Sequence, residues 1–543
     1  MIHLKKKILA LSLGVFAHTA YAQNPIVQTC YTADPAPMVD GDRLYVHIDR
    51  DLGVKDNGEA WYVMNEYRVY STADMVNWTD HGAALPLSKF TWSVAGSAWA
   101  SQCIRKGSKY YWYICCEPKS GGRALAVASS TSPAGPFNAL LGKPLLDGSW
   151  DFIDPSPFID DNGQAYIVFG NPGCYIAKLT SNMTAFNTSF TIKGNHAKKT
   201  NWAGVWEFVQ DEASFGGPKE IPEGKDKSDY KDLYEEGPWL MKRDSIYYLM
   251  YAAGGVPEHI AYSTSDSPTG PWTYRGQIMR LQDTGSFTNH SGIVTFKDHN
   301  YFFYHTGWLP GGSSYKRSTC VEEFKYNADG TIPEIKATET GVSPIATLNP
   351  YTRQQAETIN YSKGITTAEE SEVDPETGKK VNHVYVTDIH ANDFIKVRNV
   401  EFGDSVGSLT LRLRSTKTGG TIQVRCTKTG TSTSVSSTST LVGSLRVPNT
   451  EGEWEEFTID IKSALKDIKD VYFKFTGSGT ASLFDFDWWR FNVKSDEETS
   501  IESMTTNGKK EYYSLSGTKL GSPQRGVNIV VMPDGRKVKQ IKN

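Results

Sequence analysis

The chain has 543 residues, too many for one hydrophobic core, so two or three domains are expected. Charged residues are 22% and hydrophobic ones 39%, the balance of a water-soluble globular protein. Lys and Arg number 57 against 61 Asp and Glu, a net charge of -4 that gives no electrostatic case for nucleic acid or for an anionic membrane.

The first residues read MIHLKKKILALSLGVFAHTAYA. A basic head at Lys5–Lys7, an apolar stretch over 8–17 and the small-residue pattern Ala20-Tyr21-Ala22 form a secretory signal peptide, residues 1–22, cleaved after Ala22. No later run is long enough to span a bilayer, so a secreted or periplasmic protein with no membrane insertion is expected. Cys30 lies too far past the cut for a lipid anchor. Seven cysteines over this length do not make a disulfide framework, and adjacent Cys115 and Cys116 read as packed thiols on opposite faces of one strand.

Residues 23–345 carry one short phrase five times, a polar turn followed by an aromatic-rich strand. The copies are MVDGDRLYVHI (38–48), RKGSKYYWYICC (105–116), IDDNGQAYIVFG (159–170), KRDSIYYLMYAA (242–253) and FKDHNYFFYHTG (296–307). Two further phrases, VASSTSPAGPF (127–137) and AYSTSDSPTGPW (261–272), repeat an outer strand ending in a Ser-Pro and Gly-Pro turn. Helical periodicity is nearly absent. The class is all-β, and recurrence at irregular spacing predicts a five-bladed β-propeller with insertions between blades.

Residues 346–494 change character. They are rich in Thr, Ser and Val, with short alternating strands such as DFIKVRNVEF (393–402), TIQVRCTKT (421–429) and LFDFDWWRF (483–491). That spacing predicts a β-sandwich of jelly-roll type. Residues 495–543 begin with a polar linker and end in a short β tail, too small for a core of its own.

The repeated phrase also acts as a ruler. Counting back eleven or twelve residues from each aromatic gives Asp34, Trp99, Asp154, Glu236 and His290, which equivalence would bring to one axis. Each acid lies one or two residues before a Pro and then apolar residues, a context where a carboxylate needs a partner or a task. A salt-bridged or turn-capping acid is the plain alternative for any one of them. Three in one phase suit glycosidic bond cleavage: one carboxyl stays protonated to donate to the leaving oxygen, and one stays ionised to activate water or attack the sugar. A third nearby carboxylate would raise the pKa of the acid. Spacing in sequence leaves inversion and retention open.

Three motifs, ADP (33–35), IDPSPFIDDNGQAY (153–166) and EEGPW (235–239), resemble in order the acidic motifs of glycoside hydrolase family 43. That resemblance implies a five-bladed propeller and an inverting mechanism. It assigns Asp34 as general base, Glu236 as general acid and Asp154 as the residue that tunes and orients the acid. Glu235 is the adjacent rival for the acid; strand alternation sends the two to opposite faces. Trp99 stands in AGSAWASQ, where Ser101 replaces the Pro common in the family, and is either a sugar platform or a core residue. His290, in FTNHSGIV, resembles the family's axial His beside a bound calcium or water. Arg317, in SSYKRSTC, either holds a sugar hydroxyl or forms a surface ion pair.

QAETIN (355–360), with the strands that follow it, resembles the start of carbohydrate-binding module family 6. The resemblance implies a structural calcium at Gln355, Glu357 and Asp487, with Trp454 a sugar-stacking candidate; of Trp488 and Trp489, one belongs to the core. The sandwich could equally be a docking domain without sugar binding. The tail resembles a C-terminal sorting domain, which implies a cell-surface destination.

The expected activity is that of a secreted, inverting glycosidase, acting as a monomer on plant-wall polysaccharide without an organic cofactor. It is expected to remove pentoses, with α-L-arabinofuranosidase first, β-D-xylosidase second and endo-arabinanase third. The rival from another class is a non-catalytic sugar-binding protein, which would have no need of a buried acid paired with a base.

Overall fold

In the computed structural model the described residues are 23–543 apart from 226–228, 231, 374–379, 404–405, 418, 431, 436–437, 462–464, 495–510, 515–517, 532–536 and 543. The signal peptide and the linker therefore lie outside the described residues.

Five antiparallel sheets follow one another along residues 32–324. Each opens with an inner strand: Thr32–Asp40, Trp99–Lys106, Ser156–Ile159, Tyr234–Arg243 and Gly292–Phe296. Each then turns into an aromatic-rich second strand: Arg43–Arg50, Lys109–Cys116, Ala165–Phe169, Ile246–Ala253 and His299–Thr306. The repeated phrase is this hairpin. Its turn needs a left-handed residue, supplied by Gly41 (φ 61°), Gly107 (φ 61°) and Gly163 (φ 79°), and elsewhere by Asp244 (φ 54°) and Asp298 (φ 66°).

The second strand is buried on both faces, and its period of two explains the composition. Trp112 and Ile114 enter a core shared with Tyr67 and Val69 of the first sheet, while Tyr113 and Cys115 enter one shared with Ile167 and Phe169 of the third. Tyr166 and Val168 meet Leu249 and Tyr251, and Met250 and Ala252 meet Phe302 and Tyr304. The last core joins Tyr301 and Phe303 to Val46 and Ile48, so the ring of five blades closes. The N-terminal segment seals it: Ile26 N–H donates to Thr319 O (2.9 Å), and Asn24 bonds both polar backbone groups of Val321. Cys115 and Cys116 fall in different cores and all seven cysteines are free.

The insertion at 181–232 adds strands Ala197–Lys199 and Val205–Phe208 to the third blade and a short helix, Glu212–Phe215, capped by Asp211. Beyond the propeller, two sheets of six and five strands enclose one core that includes Trp489, Phe473 and Phe486. This sandwich is docked on the first blade. Strand Thr358–Ile359 pairs with Trp78–Asp80, and Asn77 both donates to Arg398 O and accepts from Arg398 N–H, each at 2.8 Å. The tail forms a four-stranded sheet from Glu511–Tyr513 to Lys537–Lys542. Among the described residues no helix is long and apolar enough to cross a membrane.

Candidate active site

The inner strands do not start as regular strands. Asp34 (φ 48°) and Asp154 (φ 57°) hold left-handed backbones before Pro35 and Pro155, at a cost of about 1–2 kcal/mol each. In the fourth blade the same conformation before a proline belongs to Gly237 (φ 60°), so Glu236 sits one residue earlier than the other two acids. Register shifts at Ala33/Ala36, Trp99/Ser101 and Glu236/Trp239 mark bulges at the same level of three blades. Such bulges re-aim side chains toward the axis.

The three carboxyls act on one another there. Asp154 Oδ2 accepts the Gly237 N–H at 2.9 Å, tying the third blade to the fourth. Burial, with the charges of Glu236 and Asp34, pushes the Asp154 carboxyl well above the usual range. Glu236 is pushed up by burial and by the charges of Asp34 and Glu235. Asn171, whose Nδ2 donates to Glu236 Oε2 at 2.6 Å, and Arg123 oppose that rise. Asp34 goes the other way. Burial works against its charge, but the Arg317 guanidinium at 3.0 Å, His305 at 3.3 Å and His290 at 3.8 Å hold its carboxyl far below the usual range.

Arg317 is buried and makes no surface ion pair. It bonds Asp34 through Nη1 (3.0 and 3.2 Å) and Asp51 through Nε and Nη2 (2.9 and 3.0 Å). His290 packs its ring against Gly237 and is buried; burial pulls it down to about 4, so it is neutral at ordinary pH. Trp99 is half-buried, donating from Nε1 to Tyr62 O (3.2 Å) with Arg123 over its ring at 5.5 Å. It borders a cavity of about 310 Å³ that Trp61, Asn65 and Glu117 also line.

Sequence reasoning missed Asn171, His305, Asp49, Asp51, Arg123, Tyr62 and Glu258. Glu258 is a buried carboxyl that accepts Asn289 N–H at 2.7 Å and is pushed well up by burial and by Glu236. His305 lies inside the fifth copy of the phrase, and Asp49 and Asp51 directly follow the first. A ruler laid along the second strands would have found them.

Among the described residues no three His, Cys, Asp or Glu side chains are grouped to hold a metal ion. At the axis Arg317 stands against Asp34, where a cation would be, so these residues do not fit a calcium bound directly at that carboxylate. In the sandwich, Gln355 Oε1 and Glu357 Oε2 are buried without hydrogen-bond partners and fit an oxygen-seeking cation. Asp487 is differently engaged: it accepts from His383 (2.8 Å) and Arg412. Trp454 donates to Glu370 (2.8 Å) and has the Arg414 guanidinium 4.3 Å from its ring, so a neighbouring side chain already stacks on the proposed sugar platform. Trp489 is the core member of the tryptophan pair, and Trp488 lies against Arg353.

Residues 22–332 match the family described as "Glycosyl hydrolases family 43", and residues 355–493 match "Carbohydrate binding module (family 6)". An arabinoxylan arabinofuranohydrolase of Bacillus subtilis is 33% identical over 90% of this chain and 96% of its own. Xylosidase/arabinosidase 43A of Humicola insolens is 30% identical over 57% of this chain and 98% of its own. A crystal structure of the family 43 arabinoxylan arabinofuranohydrolase from Bacillus subtilis, in complex with cellotetraose, superposes with a TM-score of 0.70 at 29% identity; the match covers 87% of this chain and 98% of that one.

Proposed function

From a chain that belongs to glycosyl hydrolase family 43 and carries a family 6 carbohydrate-binding module, we propose an α-L-arabinofuranosidase that removes arabinose side chains from arabinoxylan by inversion. The observation that carries the reading is the contrast between two carboxyls on one axis, Asp34 buried and Glu236 partly buried. Asp34, clamped by Arg317 and two histidines, is held ionised and serves as the general base that takes a proton from water. Glu236, hydrogen-bonded by the neutral amide of Asn171 and pushed up by burial against the pull of Arg123, keeps its proton and gives it to the leaving oxygen. Asp154, on which the charges of both act, orients the backbone next to Glu236.

The 33%-identical arabinofuranohydrolase, aligned over 90% of this chain, supports arabinose as the released sugar. Xylose release is the second reading, favoured by the Humicola relative whose name carries both sugars. Residues 23–345 form the catalytic unit and 346–494 the module that holds polymer. Export rests on the N-terminal signal pattern. A calcium in the module would be held by Gln355 and Glu357 and would neutralise the buried Glu357 carboxylate.

Product analysis on arabinoxylan, with NMR of the anomer first released, tests this. Free arabinose appearing first as the inverted anomer is expected; a retained anomer would overturn the roles of Asp34 and Glu236.

A further inference from the structure

Asp49 lies on the second strand of the first blade, paired with Ala33 on one side and Tyr67 on the other. Its carboxyl is fully buried, and neither oxygen receives a hydrogen bond from any donor among the described residues. The nearest cation is Arg317, with Nη2 at 3.9 Å. That guanidinium is already spent on Asp34 and Asp51, and Arg317 N–H also donates to Asp51 Oδ2 at 2.7 Å. Three buried carboxyls thus face one positive charge. Of the other groups around them, Tyr67 donates its hydroxyl to Trp99 O and Cys115 O, while His290 is neutral. His305 Nδ1 is turned to Asp34, at 3.3 Å.

A bare carboxylate in this setting is costly, because burial removes its water and two anions stand beside it. One proton removes the cost. Asp51 accepts three N–H bonds from Arg317, and Asp34 accepts two from the same residue beside His305. Asp49 accepts none, and across the strand ladder it faces Ala33, the residue next to Asp34.

We propose that Asp49 is a positioning residue that carries a proton and donates it in a hydrogen bond to the Asp34 carboxylate, holding the base in one orientation. The inference rests on Asp34 being the general base. Burial and the charge of Asp34 both hold the proton on Asp49, against the pull of Arg317.

Infrared difference spectra of the full chain at neutral pH test it directly. Wild type minus Asp49→Asn should show the carbonyl band of a protonated carboxylic acid; its absence overturns the proposal. If Asp49→Asn does not fold, wild type minus Asp34→Asn should show that band shifted by loss of the charged acceptor, and an unshifted band overturns it. Kinetics on an aryl arabinofuranoside give a second reading. Asp49→Ala should lower kcat about tenfold or more and move the acid limb of kcat/KM to higher pH, because ionised Asp34 has lost a donor. Asp49→Asn, whose amide donates the same bond, should restore most of that loss with the limb in place. A limb that moves to lower pH in Asp49→Asn would mean that a negative charge had been removed, and would sink the idea. A wild type inactive on every pentoside would refute the proposed activity, and the infrared result would still decide for or against the proton.

Discussion

Gly237 donates its backbone N–H to Asp154 Oδ2 at 2.9 Å, so the carboxyl of the third blade grips the residue next to Glu236 in the fourth. The bond runs between blades, and it ties the orientation of the acid to the packing of two sheets. A side chain at 237 would need a strained left-handed backbone, and its Cβ would meet His290 Nδ1 at 3.2 Å. Gly237→Ala should therefore lower kcat about 10²-fold while leaving the fold intact, since small misplacements of a catalytic group are this expensive. Circular dichroism and kcat on an aryl arabinofuranoside check both parts.

Glu236→Gln removes the proton donor and keeps the shape. Hydrolysis should fall about 10²–10⁴-fold, the usual contribution of a general acid, with binding of arabinoxylan retained. Isothermal titration alongside a rate assay separates the two; hydrolysis that survives would place the acid elsewhere, with Glu235 the first alternative.

Asn171 favours the ionised form of Glu236 by donating to Oε2. In Asn171→Ala the Glu236 carboxyl should hold its proton to higher pH. The alkaline limb of kcat/KM should therefore move upward, and kcat should fall because the acid loses its support. A pH–rate profile shows the direction; a downward shift would contradict the geometry.

Arg317→Ala leaves three buried carboxyls without their cation. Breaking such a pair costs roughly 3–5 kcal/mol, so the melting temperature should drop by many degrees. Thermal unfolding of the variant, compared with Arg317→Lys, measures it. Lysine should recover only part, having no planar fork to hold Asp34 and Asp51 together.

Asp154, Glu236, Glu258 and Glu357 are all pushed up by burial, whereas Asp34 is pushed down. Where a carboxyl is raised, the native state holds a proton that the unfolded chain has lost, so stability falls as pH rises above about 4. Asp34 has the opposite sign: the stability from its pairing is present above about 3.9 and lost only as pH falls below that. Buried His47 and His290, pulled down to about 4, add stability as pH rises to about 6.5, so the decline from the raised carboxyls should show in the melting temperature above about pH 7. Added calcium should raise it by occupying the oxygens of Gln355 and Glu357. Glu357→Gln should abolish that response.

The propeller was legible because its signal is repeated. A turn followed by alternating aromatics, five times over, can only be buried between neighbours of its own kind, and Trp112 and Tyr113 show how adjacent positions feed two different cores. The ruler from those aromatics reached Asp34 and Asp154, whose left-handed backbones match. In the fourth blade it reached Glu236, although the matching backbone is that of Gly237, because a bulge absorbs one residue of register. Asn171 and Glu258 had no such signal; they come from loops whose proximity depends on the closed ring.

Local chemistry along the chain determined the class of structure and where the acids sit in each repeat. Periodicity, turn residues and prolines are encoded within a few positions of one another and need no distant contact. The tertiary structure alone decided which acid is charged. Asp34 and Glu236 are both carboxyls one or two residues before a proline, and nothing near them in sequence separates their roles. Arg317, 283 positions from Asp34, holds one ionised, while the neutral amide of Asn171, 65 positions from Glu236, leaves the other its proton.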